Sequence, residues 1–449
     1  MSVQTEQSVV SSKVLVLGLG LTGASIAGWL ARQQLSAVFM DSRDCPPALA
    51  RVRELLPDAD IICGEFPERV PEGVTEVLVS PGLSMSLPLL QDADDRGLSV
   101  RSDIDLFVAA CTGTVLGVTG SNGKSTVTAL IECMLNAAGV RAVAGGNLGT
   151  PALDLLNIDA DYFVLELSSF QLERSAELPL HAAVILNMSV DHLDHHGDLK
   201  SYAAAKACIY HRCGTAVVNR DEPSLAGMIK PGTAQVGFGL GIPSPTDWGV
   251  ITRDGGQWIA RGSLAIMPAD VLQVSGRHNL QNVLAAFALA DTLELPLDGL
   301  IAGAQIFAGL PHRMQVVSTE DGICWVNDSK ATNEAASLAS IASVEGRLIL
   351  IAGGDAKGGE LHELAAALAH RDVQVIAIGK DRDLLVRRLT GICDTQVAES
   401  LSDAVGLAAR AANKGDTVLL APACSSLDMF HSYAERGDCF AQAVQEVCQ

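Results

Sequence analysis

Residues 115–126 read VLGVTGSNGKST, an apolar run that passes into glycines and ends on a lysine and two hydroxyl residues. The run predicts a strand, and STVTALIECMLNAAG (125–139) predicts the helix that follows it. Gly117, Gly120 and Gly123 loosen the backbone, so that successive N–H groups around Asn122 can surround phosphate oxygens. Lys124 reaches the terminal phosphates, and Ser125 or Thr126 helps to hold Mg²⁺. The spacing departs from GxxxxGK[ST], because Val118 stands six places before Lys124. The strand–loop–helix setting nevertheless favours ATP binding over a loop made only for packing.

Working outward, YFVLELS (162–168), AAVILNM (182–188) and TAVVNRD (215–221) read as further strands separated by helical stretches. That alternation predicts a P-loop ATPase-like, mostly parallel sheet covered on both faces. Residues 236–272 carry short strands with Gly, Pro and Trp and predict a small β insertion; SGRHNLQNVLAAFALA (275–290) then returns to a helix. Upstream, KVLVLGLGLTG (13–23), ASIAGWLARQ (24–33) and AVFMDSR (37–43) form a βαβ opening with GxGxxG at Gly18, Gly20 and Gly23, closed by Asp41. This motif admits a dinucleotide, another nucleotide-diphosphate ligand, or tight helix packing alone. Downstream of GLPHRMQ (309–315), the segments WVNDSKATN, RLILIAGG, VQVIAIGK and TVLLAPA are four strand-to-loop transitions. The expected fold is α/β in three domains: a Rossmann-like one over 1–112, the central one over 113–308, and a Rossmann-like C-terminal one over 309–449.

Polar residues gather at the predicted strand ends. Glu166 and His192 follow two strands of the central sheet, on the side where ligands bind, and both are candidates for a divalent ion beside phosphates. HLDHH fits no closed zinc set and has no cysteine nearby, so His195 and His196 read as turn or surface residues. Lys206 lies among apolar helix neighbours; periodicity does not decide whether its head enters the site or snorkels to water. His312, Arg313, Asp328, Lys330, Thr332, Asn333, Asp355 and Lys357 cluster at the strand ends of the third segment, and PACSSLDMF places two serines just before a helix.

The 449 residues are 48% hydrophobic and 18% charged, a core-rich composition that excludes general disorder. With 52 acidic against 31 basic residues, the net charge of −21 opposes nucleic-acid and anionic-membrane binding. No stretch nears the ~20 apolar residues of a spanning helix. MSVQTEQSVVSS lacks the features of a secretory signal, and eleven cysteines without CxxC suit free thiols in a cytoplasm. On these grounds ATP and Mg²⁺ serve either a ligase that attacks an acyl phosphate with an amine or a kinase that stops at phosphoryl transfer.

The ordered set GLGLTG, TGSNGKST, ELSSFQLE, NMSVDHLDHH, SGRHNLQN, LPHRMQ, NDSKATN, GGDAKGG and PACSSLDMF resembles the Mur ligases of peptidoglycan synthesis over nearly the whole chain. The resemblance implies a cytoplasmic, monomeric amide ligase using ATP and two Mg²⁺ ions, with UDP-N-acetylmuramoyl-L-alanine and D-glutamate as substrates; a related ligase adding another amino acid is the alternative. It implies that Leu21, Thr22, Asp41, Ser42 and Arg43 face the uridine diphosphate, and that Asn147 and His192 place the muramoyl-alanine carboxylate. Gly120, Asn122, Gly123, Lys124, Ser125 and Thr126 would hold ATP with Glu166, and Lys206 would become a carbamate that binds metal alongside Ser125, Glu166 and His192. Asn279, Arg313 and Asp328 would serve the nucleotide, while Lys330, Thr332, Lys357, Ser426, Leu427 and Tyr433 would surround D-glutamate and the transferred groups. Lys124, His192, Lys206 and Lys357 are the implied catalytic residues. The chain departs from the familiar pattern at Ala356, where glycine is frequent, at Tyr433, where phenylalanine is, and in the LDHH turn.

Overall fold

The computed structural model describes residues 13–147, 149–175, 177–189, 193–274 and 276–448. Three sheets follow one another along the chain. The first holds β1 (Lys13–Leu17), β2 (Ala37–Asp41), β3 (Asp60–Cys63), β4 (Val74–Val79) and β5 (Ser99–Arg101) in the order β3-β2-β1-β4-β5. All its pairings are parallel. β2 is buried at every position, as a parallel strand covered on both faces must be. The order reverses between β1 and β4, which opens a crevice beyond their carboxyl ends.

The second sheet holds β6 (Thr114–Thr119), β7 (Ala142–Gly146), β8 (Tyr162–Glu166), β9 (Ala182–Ile185), β10 (Thr215–Asn219), β11 (Ala234–Phe238), β12 (Trp248–Arg253), β13 (Gly256–Arg261) and β14 (Leu264–Pro268). Their order, β14-β13-β12-β11-β10-β9-β6-β8-β7, places β6 between β8 and β9. The expected β insertion is thus continuous with this sheet: β12 joins β11 through the pair Phe238–Trp248, and β13 and β14 extend it antiparallel. Trp248 is fully buried and stacks on Phe287 of the helix Arg277–Asp291 with ring centroids 4.8 Å apart, which anchors the extension.

The third sheet holds β15 (Gln315–Ser318), β16 (Cys324–Asn327), β17 (Leu348–Gly353), β18 (Val373–Ile378), β19 (Asp394–Val397) and β20 (Thr417–Leu420), in the order β15-β16-β20-β17-β18-β19. Only β15 runs antiparallel. Two apolar clusters, one around Leu350 and Leu419 and one around Ile349 and Phe440, cover its opposite faces.

Residues up to Ala269 together with Asn282–Gln305 form one compact unit, and Asp270–Gln281 with Ile306–Gln449 a second. The first two sheets share the first unit. There Ser102, which caps the helix Asp103–Ala110, meets Ser175 at 2.7 Å between hydroxyls. No helix among the described residues is long and apolar enough to cross a membrane.

Candidate functional site

The crevice at the β1/β4 reversal is a cleft of about 500 Å³ whose lining includes Leu21, Thr22, Asp41, Ser42, Arg43 and Asn147. Its floor depends on glycine. Gly18 has φ +95°, and a Cβ there would stand 2.7 Å from Ser80 Oγ; a Cβ on Gly23 would collide with the Gly18 carbonyl oxygen. Asp41 Oδ2 accepts the Leu19 N–H at 2.7 Å, and the carboxylate is gripped by Arg43 through Nε to Oδ1 at 2.8 Å and Nη2 to Oδ2 at 2.7 Å. The Arg43 guanidinium foremost holds its pKa down to about 2. The acid that a dinucleotide-binding motif would aim at a ribose is here committed to the loop and to Arg43, whose side chain remains half-exposed at the cleft.

Asp103, at the start of its helix, also lines this cleft yet is almost wholly buried. Its Oδ1 has no hydrogen-bond partner among the described residues, and burial pushes the carboxyl up to about 7. Arg174 lies in its electrostatic range, itself lowered by burial.

The second part of the site lies at the carboxyl ends of β6, β8 and β9. Gly120 and Gly123 have φ of +150° and +84°, and a Cβ on Gly123 would stand 2.5 Å from Asn282 Oδ1. Asn122 is braced by Asn187 in both directions, N–H to Oδ1 at 2.8 Å and Nδ2 to O at 3.1 Å. Lys124 Nζ donates to the Gly120 and Ser121 carbonyls, both at 2.8 Å, so its ammonium sits at the mouth of the loop. Ser125 and Thr126 are buried in the first turn of the helix Lys124–Ala137. Lys206 is 1% exposed, and its head points inward: Nζ donates to the Gly120 carbonyl at 2.9 Å and to Thr119 Oγ1 at 3.3 Å, 4.7 Å from the Tyr202 ring centre.

Glu166 ends β8 at 2% exposure. Its Oε1 accepts Asn147 Nδ2 at 2.6 Å, while Oε2 is buried with no hydrogen-bond partner among the described residues. A partnerless buried carboxylate oxygen beside a phosphate loop costs free energy unless a cation or donor meets it, and this is what a Mg²⁺ ligand requires. Glu166 therefore fits a hard divalent ion, and Ser125, buried at the start of the helix Lys124–Ala137, carries a hydroxyl oxygen of the kind such an ion accepts. His192 lies outside the described residues.

The C-terminal unit assembles the third set. Asp355 pairs with Ser425 in an isolated bridge, N–H to O at 3.1 and 2.9 Å, which joins the Lys357 loop to the loop carrying buried Ser426 and exposed Leu427. Lys357 has φ +48° and donates its N–H to Asp355 Oδ1 at 2.8 Å. Lys330 Nζ lies 4.1 Å from the Tyr433 ring centre, so the aromatic ring itself is engaged. The Thr332 N–H turns back to the Lys330 carbonyl at 2.7 Å. Asp328 is held by the Met314 N–H at 3.2 Å and by the Ser340 hydroxyl; burial raises its pKa, with Arg313 opposing. Asn279 stands in the first turn of the helix Arg277–Asp291, largely buried.

Besides Asp103, two residues escaped the sequence reading. Arg436 is 1% exposed and ties two loops together: Nε and Nη2 reach Ser329 Oγ and O at 2.9 and 2.8 Å, and Nη1 reaches the Cys424 carbonyl at 3.3 Å. Its signal was present, because it shares the apolar stripe of its helix with Phe440, Ala443 and Val444. Tyr202, four residues before Lys206 and so on the same helical face, bonds Ser121 Oγ at 3.2 Å. Cys424 is buried with its thiol pushed up to about 12, which suits an inert packing residue. All eleven cysteines are free.

Comparison with known proteins follows this geometry. Residues 12–102 match the Mur ligase MurD-like N-terminal domain, 118–290 the Mur ligase middle domain, and 312–424 the Mur ligase glutamate ligase domain. The chain is 43% identical to the UDP-N-acetylmuramoylalanine--D-glutamate ligase of Methylococcus capsulatus, over 98% of this chain and 95% of that one. It is 41% identical to the ligase of the same name from Pseudomonas aeruginosa, over 96% and 98%. Among solved structures, the MurF ligase of Thermotoga maritima in complex with ADP shares the fold with a TM-score of 0.63 at 18% identity, covering 98% and 99% of the two chains. The UDP-N-acetylmuramate-alanine ligase MurC of Thermotoga maritima gives 0.61 at 17%, covering 97% and 99%.

Proposed function

Since this chain belongs to the Mur ligase family, an ATP-dependent amide-forming group, we propose that it joins D-glutamate to UDP-N-acetylmuramoyl-L-alanine with release of ADP and phosphate. The observation that carries the choice of amino acid is the near-full-length identity, 43% and 41%, to ligases named for D-glutamate. Three domains over 1–112, 113–308 and 309–449 would take the UDP-sugar, ATP and D-glutamate in turn. The enzyme would act as a monomer in the cytoplasm.

The chemistry runs in two steps. A carboxylate oxygen of the alanyl end attacks the γ-phosphorus of ATP; the bond to the β-phosphate oxygen breaks and ADP leaves. The amine of D-glutamate then attacks the acyl carbon, loses a proton, and expels phosphate as the amide forms. In the first step Lys124 turns from the Gly120 and Ser121 carbonyls to the transferring phosphoryl group, and the N–H groups of the Gly120–Gly123 loop share its charge. Mg²⁺, once bound, neutralises phosphate charge; Glu166 Oε2 and Ser125 would be among its ligands, with His192 and a carbamylated Lys206 completing a two-ion set. The contacts of Lys206 with the Gly120 carbonyl, Thr119 Oγ1 and the Tyr202 ring suit an ammonium, so carbamylation requires it to give up the Gly120 carbonyl. In the second step Lys330 and Lys357 would hold acidic groups of the amino acid and phosphate, with Thr332, Ser426, Leu427 and Tyr433 shaping the pocket.

The test supplies ATP, Mg²⁺ and UDP-N-acetylmuramoyl-L-alanine with D-glutamate, L-glutamate, glycine or meso-diaminopimelate in turn. Phosphate release with amide formation for D-glutamate alone is expected. Equal turnover without any amine would reject the ligase, and preference for another amino acid would move the chain to a sister activity.

A further inference from the structure

Glu173 lies in the last turn of the helix Ser169–Arg174, and His195 and His196 end the helix Leu193–His196. Each offers one ligating atom, and the three atoms lie within 4.8 Å of one another. His195 Nε2 stands 2.8 Å from Glu173 Oε2, and His196 Nε2 stands 3.0 Å from Ser169 Oγ. The imidazoles are also packed: the Phe170 ring meets His195 edge-on with centroids 4.6 Å apart, and the Tyr202 ring lies 5.3 Å from His196. The sequence alone disfavoured a metal here because HLDHH fits no closed zinc set and has no cysteine nearby. The fold supplies a third ligand from a helix 22 residues upstream.

We propose that Glu173, His195 and His196 form a binding site for a zinc-type divalent ion, separate from the Mg²⁺ ligands at the phosphate loop. Two imidazoles and one carboxylate are the three-ligand set that zinc takes with water in its fourth position. Mg²⁺ prefers an octahedron of oxygens, so two nitrogen donors discriminate against it. Rings already held by Glu173, Ser169 and Phe170 have little orientational freedom left to lose, which favours capture. The site links the helix Ser169–Arg174 after β8 to the helix Leu193–His196 after β9, and the latter begins at the residue following His192 in sequence. An ion bound here would therefore restrain the stretch that carries a residue implied in the reaction.

The competing account is a plain Glu173–His195 ion pair that needs no metal. Calorimetric titration of the full chain with Zn²⁺ under saturating Mg²⁺ separates the two, with Co²⁺ as a spectroscopic probe. The expected result is one Zn²⁺ per chain that Mg²⁺ does not displace, and Co²⁺ visible bands of a low-coordinate nitrogen–oxygen site. His195→Asn and Glu173→Gln should each weaken Zn²⁺ binding by about a hundredfold and leave Mg²⁺-supported turnover unchanged. Displacement by Mg²⁺, absence of a binding heat, or binding unaltered in both variants would overturn the site. The measurement needs no ligase substrate, so it stands or falls apart from the proposed reaction.

Discussion

Lys124 and Lys206 both direct their heads to the Gly120 carbonyl. Lys124→Ala should cut ATP turnover by about 10²–10³-fold, the loss typical of a single charge-stabilising donor, while the circular dichroism spectrum stays unchanged; unaltered turnover would sink the role given to that loop. Lys206→Ala should lose activity, and a short carboxylate added to the variant should restore part of it; failure of any rescue would count against a carbamate. Asp103 makes a different prediction. Its carboxyl ionises near 4 when unfolded and at about 7 when folded, so the native state binds the extra proton between those values. Stability therefore falls as pH rises from 4 to 7 and is level above. Asp103→Asn should raise unfolding free energy by about 2 kcal/mol at pH 8, discounted from the full shift because Arg174 loses its nearby anion, and the gain should shrink toward zero at pH 4. Urea unfolding at the two pH values measures this. A gain equal at both would show that the carboxyl is ionised throughout.

At the scale of elements, the glycine turn between β1 and the helix Leu21–Gln33 separates two kinds of glycine. A methyl at Gly23 meets the Gly18 carbonyl, whereas nothing lies within 4 Å of one at Gly20. Gly23→Ala should lower stability by about 2–3 kcal/mol and Gly20→Ala should leave the urea midpoint nearly in place. Equal effects would mean that the turn adapts as a whole. The same turn shows what the sequence can carry. Strands buried on both faces, such as β1, β6, β8 and β17, are continuous apolar runs that stop at glycine or acid, so the position of the phosphate loop and of Glu166 was legible. The edge strands β3, β7, β15 and β19 are short and partly exposed, and their patterns do not stand out from loop. Contacts between distant helices left still less trace: nothing local announces that Glu173 meets His195, or that Asp103 is buried. Tyr433 is an intermediate case. The sequence shows the departure from phenylalanine but not the contact it makes, in which the ring sits under Lys330. Tyr433→Phe should keep activity and Tyr433→Ala should raise the KM for the amino acid.

Across the whole molecule the net charge of −21 confronts ligands that are themselves anions. In the proposed reaction, capture would depend on local groups, the Arg43 guanidinium, the N–H groups of two glycine loops and a few lysines, working against a repulsive field. Raising ionic strength to about 0.15 M, where screening sets in beyond ~8 Å, should speed association of the UDP-sugar at constant free Mg²⁺. Slower association would show that local attraction already governs approach. Gly123 and Asn282 illustrate a constraint of another kind, since residues far apart in the chain share a space that holds only one of their side chains. The left-handed backbone at Gly123 already strains any larger residue, and the Asn282 side chain adds a separate steric barrier that a smaller residue at 282 would lower but not abolish. Substitution at Gly123 should therefore cost less where position 282 is small, and a pairwise saturation library would reveal that dependence as epistasis between two positions far apart in the chain.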